Sequence, residues 1–216
     1  MNWLSDPSSV QGVAMRTDWY ALIIAGTVVG AYVYGAIAWC LFAYRARAGR
    51  AADDFEGNPP LEVLYVALPL LIVFGLFLVT LAIEGPIDRV DARPAYRVEV
   101  TAFRWSWRFA YAGGRIVSSG TPDRPPTLYL PLERTTQVAL RSADVTHSFW
   151  IPAFLFKRDA IPGLTNTFDL TPTRAGSFPA RCAQFCGLEH AHMTFVVDVM
   201  PVRDFDRLLA AGTIRP

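Results

Sequence analysis

The stretch RCAQFCGLEHAHMTF, residues 181–195, places two cysteines, two histidines and a methionine within fifteen positions. The whole chain has only three cysteines and three histidines, so most of its thiol and imidazole groups are gathered here. The spacing is C-x3-C-x3-H-x2-M, from Cys182 through Cys186 and His190 to Met193. Such a concentration of nitrogen and sulfur donors is typical of a metal site.

Several interpretations of this cluster compete on the residues alone. A disulfide between Cys182 and Cys186 would close a loop too short to gain much entropy, and it would leave the histidine unexplained. A zinc site could use both cysteines together with His190 and His192. Zinc would leave Met193 without a role, because a thioether is a soft donor that suits copper.

Copper would use the thioether as well. A mononuclear blue-copper centre needs two histidines, one cysteine and a weak axial methionine, and His147 in DVTHSFWIP is available as the second histidine. The two cysteines would then supply one thiolate too many. Two thiolates that bridge two copper ions, each bound by one histidine, account for every residue of the cluster. The backbone carbonyl of Gln184 is placed to act as a second weak ligand opposite Met193.

Two apolar segments precede this region. The runs YALIIAGTVVGAYVYGAIAWCLFAY (20–44) and VLYVALPLLIVFGLFLVTLAI (63–83) contain no charged residue. Each exceeds the roughly 18 residues that mark a transmembrane helix, and aromatic residues at the edges favour a bilayer over a buried soluble hairpin. The first 18 residues lack the pattern of a cleaved signal peptide, so the first helix is expected to be retained.

Arginine placement predicts the orientation of this hairpin. The loop at 45–60 holds Arg45, Arg47 and Arg50, whereas only Arg16 precedes the first helix. The positive-inside rule then makes the loop cytoplasmic. Residues 1–18 become a short extracytoplasmic segment, residues 19–85 the membrane hairpin, and residues 86–216 an exported domain.

The exported region shows the pattern of an all-β domain. Short β-rich runs are separated by turn signals such as GG, TPDRPP and IPG, and PVRDFDRLLAAG at the end predicts a short helix. Strands this short and this closely spaced favour a sandwich or barrel. The predicted strands are 96–103, 105–111, 127–131, 135–141, 165–170 and 193–200.

The chain resembles subunit II of haem–copper oxidases of the cytochrome c oxidase type. The resemblance covers about residues 15–210 and is carried by HSFWIP, KRDAIPG, CAQFCGLEHAHM and WSWRFAY. It implies a two-helix membrane hairpin followed by a Greek-key cupredoxin domain with a dinuclear copper A centre. The quinol-oxidising relatives lack the cysteines, so the cytochrome c branch is implied. The implied copper ligands are His147, Cys182, Gln184 (backbone carbonyl), Cys186, His190 and Met193.

The resemblance also implies a function. The chain would accept electrons from cytochrome c and pass them to haem in subunit I, where oxygen is reduced to water and protons are pumped. Haems would lie only in the partner subunits, the copper domain on the periplasmic side of a bacterial plasma membrane, and no nucleic acid would be involved. Two alternatives stay open: a copper A subunit of a nitric oxide reductase, and a membrane-tethered copper-binding or delivery protein.

Three further residues take roles from the same resemblance. In FRWSWRFAY (103–111) the alternating aromatic residues predict one strand face packed into the core, and the family's electron-accepting tryptophan aligns with Trp105, with Trp107 as the alternative. Glu62 starts the second helix, where a carboxylate is favourable, and the family has a proton-channel mouth here. Gln184 stands where a glutamate commonly binds magnesium or manganese at the subunit I interface, and an amide is the poorer ligand for such a cation.

The charge of the chain constrains its partners. Overall, 20 basic residues balance 19 acidic ones, which gives no sign of a nucleic-acid partner. Between residues 100 and 150, however, six arginines face three acidic residues, a net charge of +3. Electrostatic steering of a basic cytochrome c is therefore not expected. The sequence predicts a neutral or acidic cytochrome c, a fused or subunit-bound haem domain, or an apolar docking patch.

Overall fold

The computed structural model describes residues 6–45 and 57–212, apart from the side chain of Pro86. Within these residues the chain forms three α-helices and ten strands. The helices are α1 (Val10–Ala43), α2 (Pro59–Asp88) and α3 (Val202–Ala211). The strands are β1 (Tyr96–Phe103), β2 (Ser106–Tyr111), β3 (Ile116–Ser119), β4 (Thr127–Pro131), β5 (Thr136–Ser142), β6 (His147–Ile151), β7 (Phe156–Ala160), β8 (Asn166–Leu170), β9 (Gly176–Cys182) and β10 (Thr194–Met200).

The helices α1 and α2 are long and apolar enough to cross a membrane. Both begin before the predicted ranges of 20–44 and 63–83, because capping side chains lie further out; α1 ends at Ala43 and α2 continues to Asp88. The Oγ atom of Ser9 accepts a hydrogen bond from the backbone N–H of Gly12 at 2.9 Å, as a helix N-cap does. Of the predicted loop at 45–60, residues 46–56 lie outside the described residues.

The predicted fold class, an apolar helical pair followed by a β-sandwich, is confirmed. One five-stranded sheet has the order β3-β2-β1-β5-β8 and the other the order β4-β10-β9-β6-β7. Each strand turns alternate residues inward, so that the facing sheets enclose one apolar core. Aromatic rings fill its centre, with Phe149 and Phe195 stacked at 4.9 Å between ring centroids.

The alternation of aromatic residues predicted a single strand face over residues 103–111. The structure instead divides this segment between two strands. Phe103 ends β1 and pairs with Ser106 of β2, so Arg104–Trp105 forms the turn between the two strands. Phe103 and Trp105 therefore do not share the buried face of β2. The remaining aromatic residues do share it, and all are buried: Trp107, Phe109 and Tyr111.

Residues 6–16 form one compact unit with residues 85–212, while residues 17–45 and 57–84 belong to the second unit. The backbone N–H of Ser8 donates a hydrogen bond to the carbonyl of Ala153 at 2.7 Å, and the carbonyl of Ser8 accepts one from the backbone N–H of Thr173 at 3.0 Å. The sequence had not predicted that this segment is built into the sandwich.

Candidate metal centre

Pairing of three strands brings the cysteine cluster together. Cys182 ends β9, and β9 lies between β6 and β10. Phe149 of β6 pairs with Cys182, which sets His147 at the same end of the sheet. On the other side, the backbone N–H of Cys182 donates to the carbonyl of Met193 at 2.9 Å, just before β10. Cys186 lies in the loop between β9 and β10.

The donor atoms of the predicted site residues lie close to one another. The sulfur atoms of Cys182 and Cys186 are 3.9 Å apart. The Nδ1 atom of His147 lies 3.9 Å from the sulfur of Cys182, and Nδ1 of His190 lies 3.5 Å from the sulfur of Cys186. The sulfur of Met193 is 3.7 Å from that of Cys186. The carbonyl oxygen of Gln184 completes the set, at 3.2 Å from the sulfur of Cys182.

These distances suit ligands that surround metal ions. A disulfide would require about 2.05 Å between the sulfurs, far less than the 3.9 Å observed. Donor atoms bound tetrahedrally at about 2.3 Å for sulfur and about 2.0 Å for nitrogen lie roughly 3.5 to 3.8 Å from each other. Each cysteine sulfur also lies next to one imidazole nitrogen and one weak donor. These are His147 and the Gln184 carbonyl for Cys182, and His190 and Met193 for Cys186. Thiolate and thioether donors favour copper.

His192 is not part of this cluster. Its Nδ1 atom lies 2.8 Å from a carboxylate oxygen of Glu189, and its side chain is 71% exposed. The zinc site that would have used His192 therefore has no support in this geometry.

The two cysteines have opposite electrostatic surroundings. Burial acts against ionisation of Cys182, but the adjacent imidazole of His147 and a hydrogen bond from the backbone N–H of Ser148 lower the pKa of its thiol. Burial raises the pKa of Cys186, and the neighbouring charge of Cys182 raises it further. Without metal, Cys182 therefore loses its proton more readily than Cys186, and a cation that binds both sulfurs must displace the proton of Cys186.

Asp144 orients His147 and was not among the predicted site residues. One carboxylate oxygen lies 2.8 Å from Nε2 of His147, and the other accepts the backbone N–H of Arg104 at 2.7 Å. Partial burial acts to raise the pKa of Asp144, but the hydrogen bonds from His147, Arg104 and Val145 hold it at about 2. A carboxylate that accepts a hydrogen bond from Nε2–H keeps the proton on Nε2, so that Nδ1 is unprotonated and faces the sulfurs. The one sequence signal was an acidic residue three positions before the histidine.

Trp105 contacts the cysteine loop, whereas Trp107 lies in the core. Trp105 is half-buried, and its Nε1–H donates to the carbonyl oxygen of Cys186 at 3.1 Å. Gly187 has φ +119°, and a Cβ atom there would lie 3.1 Å from Nε1 of Trp105. Trp107 is fully buried, with its ring centroid 6.3 Å from that of His147.

Glu62 lies at the start of α2. Its carboxylate accepts the backbone N–H of Asn58 at 3.1 Å, and the Asn58 side chain accepts the N–H of Leu61 at 3.3 Å. This reciprocal arrangement is a helix N-terminal capping motif. It gives Glu62 a structural role whatever else the side chain does.

Comparison with known proteins shows which protein family this chain is similar to. Residues 123–200 match the family described as cytochrome c oxidase subunit II, periplasmic domain. The chain is 32% identical to a probable cytochrome c oxidase subunit 2 of Streptomyces coelicolor, over 94% of this chain and 76% of the relative. It is 34% identical to that of Streptomyces avermitilis, over 90% and 73%. The periplasmic domain of cytochrome oxidase subunit II from Bradyrhizobium japonicum superposes with a TM-score of 0.50 and 25% identity, over 57% of this chain and 96% of that one.

Proposed function

This chain belongs to the cytochrome c oxidase subunit II family, and from that premise we propose that it is the electron-accepting subunit of a haem–copper terminal oxidase. It takes single electrons from cytochrome c and passes them to haem in subunit I, where oxygen is reduced and protons are pumped. The observation that carries the proposal is the pair of sulfurs 3.9 Å apart, each beside one imidazole Nδ1.

We propose that the six residues with converging donor atoms hold a dinuclear copper A centre. When bound, such a centre supplies a one-electron carrier whose charge is shared by two metals and two thiolates. The chain's own contribution is to fix the donors before and after each electron. The β6–β9–β10 pairing, the Asp144 contact to His147 and the backbone N–H of Ser148 at 3.5 Å from the sulfur of Cys182 all restrain them. The proposed ligands are His147, Cys182, Gln184 (backbone carbonyl), Cys186, His190 and Met193.

The cysteines themselves provide the test of this function. In the purified complex, Cys186→Ser should lower cytochrome c-driven oxygen consumption by about 100-fold or more, because one of the two thiolates that would hold the copper ions is lost. Cys40→Ser is the matched control, since Cys40 is exposed on α1, and it should leave the rate unchanged. Full oxygen consumption by Cys186→Ser would contradict the proposal. Turnover of nitric oxide in place of oxygen would move the chain to the reductase alternative.

Trp105 is proposed as the residue through which electrons arrive. Its ring is partly exposed, and its indole N–H bonds the carbonyl of Cys186, so it joins the surface to the proposed copper loop. Trp105→Phe should slow electron transfer from cytochrome c by about tenfold while the copper absorption spectrum stays the same. Trp150→Phe, at another partly exposed tryptophan, is the control. An unchanged rate in Trp105→Phe would assign the role elsewhere, with Trp107 as the alternative.

Glu62 is proposed as the mouth of a proton channel that leads into subunit I. Its capping role and its proton role can be separated, because a glutamine side chain can still accept the N–H of Asn58. Glu62→Gln should therefore keep the assembled complex intact but reduce turnover several-fold. Unchanged turnover in Glu62→Gln would contradict the proton-channel role and leave Glu62 only its role as a helix cap.

The orientation in the membrane is part of the same proposal. The positive-inside rule favours a cytoplasmic loop at 45–60 and a periplasmic copper domain over residues 86–216 of a bacterial plasma membrane. Protease added to intact spheroplasts should digest this domain. Resistance in spheroplasts together with digestion in inverted vesicles would reverse the assignment.

A further inference from the structure

The outer face of the sheet that contains β1, β2 and β5 is rich in arginine. Along β1, Val98, Val100 and Ala102 point into the core, so the residues between them face outward. Among the outward-facing residues of these three strands, Glu99 is the single acidic side chain. Three arginines accompany it: Arg97, Arg108 and Arg141.

Two of these arginines lie in one row across the sheet. Thr101 of β1 pairs with Arg108 of β2 on one side and with Arg141 of β5 on the other. Because neighbouring strands are about 4.8 Å apart, the two arginines flank Thr101 with their Cα atoms about 10 Å from each other. We call this the arginine row.

The two arginines are paired differently. Arg141 donates to the hydroxyl of Thr101 at 3.1 Å and has an ion pair with Glu99 at 3.8 Å. Both side chains of that ion pair are more than half exposed, so the pair adds little stability and both charged groups remain solvated. Arg108 is exposed and has no ion pair within the described residues. The row therefore presents uncompensated positive charge.

The arginine row lies beside the turn that carries Trp105. Phe103 is two residues from Thr101 on the same outward face of β1, about 7 Å along the strand. Leu188, which is 87% exposed, follows the glycine against which the Trp105 ring packs. A small apolar surface at the proposed point of electron uptake, formed by Phe103, Trp105 and Leu188, is thus bordered on its sheet side by the arginine row, while Glu189 on its other side is paired with His192.

We propose that the arginine row and this apolar surface dock an electron-donor haem protein whose contact surface is acidic. The inference rests on the proposed electron-accepting function. Electron-transfer encounters bury little area and depend on complementary charge for their association rate. A small apolar centre next to tryptophan, with arginines at its border, fits that kind of contact. A strongly basic donor would instead be repelled by Arg108.

The test uses the purified oxidase that contains the full chain, with three reductants. These are a strongly acidic c-type cytochrome, a strongly basic one, and the small uncharged reductant tetramethyl-p-phenylenediamine. The bimolecular rate with the acidic cytochrome should fall as salt is added, because screening removes the attraction. Arg108→Glu should lower that rate about tenfold at low salt, whereas Arg108→Lys should retain it. Arg203→Glu, at an exposed arginine of α3, is the charge-matched control and should leave the rate unchanged.

The outcomes separate this inference from the function on which it rests. If the uncharged reductant reduces the copper centre, but the acidic cytochrome reacts independently of salt and of Arg108→Glu, the docking proposal is overturned and the electron-accepting function stands. The same holds if the basic cytochrome reacts faster and slows with salt. If the uncharged reductant cannot reduce the centre in the unaltered complex, the proposed function fails and the docking proposal with it.

Discussion

At the scale of single residues, Asp144 joins the proposed copper ligand His147 to the turn that carries Trp105. Its two carboxylate oxygens accept from the His147 ring and from the backbone of Arg104. Trp105 in turn donates to the carbonyl of Cys186. The proposed point of electron uptake is therefore held to both halves of the site by hydrogen bonds.

Removal of this carboxylate should weaken the site. We expect Asp144→Ala to lower copper affinity about 10- to 100-fold, as loss of such a partner of a ligating histidine does. Asp123→Ala is the control, since Asp123 is exposed and lies in the loop between β3 and β4. Competition titration of the full chain against a copper chelator measures both affinities. Equal affinities for Asp144→Ala and the unaltered chain would remove Asp144 from the site.

The ligands could be predicted and Asp144 could not, for a physical reason. Thiols, imidazoles and a thioether at close spacing have few uses other than metal binding, so Cys182, Cys186, His190 and Met193 stand out in the sequence. An aspartate in a turn is common, because its side chain readily bonds nearby backbone groups. Only the fold shows that the Asp144 side chain also reaches the ring of His147.

At the scale of elements, Tyr111 connects the two sheets. It lies on β2, and its hydroxyl accepts the backbone N–H of Tyr129 at 2.7 Å and donates to the carbonyl of the same residue at 3.1 Å. Tyr129 is on β4, an edge strand of the other sheet. One buried hydroxyl thus pairs the free backbone groups of an edge strand that could otherwise recruit another chain.

Tyr111→Phe should lower the free energy of unfolding by about 1–3 kcal/mol, because it leaves a buried N–H and carbonyl unpaired. Burial raises the pKa of Tyr111 above its ordinary value of 10.0. The neutral hydroxyl is the stabilising form, so its contribution is complete below about pH 10 and is lost progressively as the pH rises above it. Urea unfolding of the solubilised chain at pH 8 and pH 11 measures both effects. Tyr129→Phe is the control, and equal stability of Tyr111→Phe and Tyr129→Phe would contradict the assignment.

The stability of the sandwich should also be sensitive to substitution at Gly12, near the start of α1. A Cβ atom at Gly12 would overlap the backbone carbonyl of Phe154 and the side chain of Pro7. Gly12→Ala should therefore destabilise the sandwich by about 1–3 kcal/mol, the usual cost of overpacking. At Gly26, in the same helix, a Cβ atom meets nothing within 4 Å. Thermal unfolding followed by tryptophan fluorescence should show a lower midpoint for Gly12→Ala than for Gly26→Ala, and matching midpoints would argue against the contact.

Elements differed in how well the sequence predicted them. The apolar helices were predicted from their unbroken apolar runs, and the alternating strands β1 and β4 from the period that burial of one face leaves. Strands β3, β6, β7 and β9 were missed. Strand β9 contains Pro179 and exposes four of its seven residues, while β7 carries three consecutive charged residues, Lys157, Arg158 and Asp159. Tertiary pairing determines these strands more than local preference does.

At the scale of the whole molecule, the proposed site is assembled from distant parts of one sheet. His147 on β6 is 35 residues from Cys182 at the end of β9, and Met193 meets them through the β9–β10 pairing. Because the donors come from separate strands, binding of the proposed copper ions would be thermodynamically linked to folding of the sandwich. Family membership is supported by sequence similarity along most of the chain. The proposed electron-carrying role depends on these few donor atoms.

The electron paramagnetic resonance spectrum of the copper-loaded full chain tests that role most directly. Two thiolates that bridge two equivalent copper ions share one unpaired electron, and coupling to both nuclei should give seven hyperfine lines. A four-line pattern would show a single copper ion and contradict the dinuclear centre, as would a chain that binds one zinc ion and gives no copper signal.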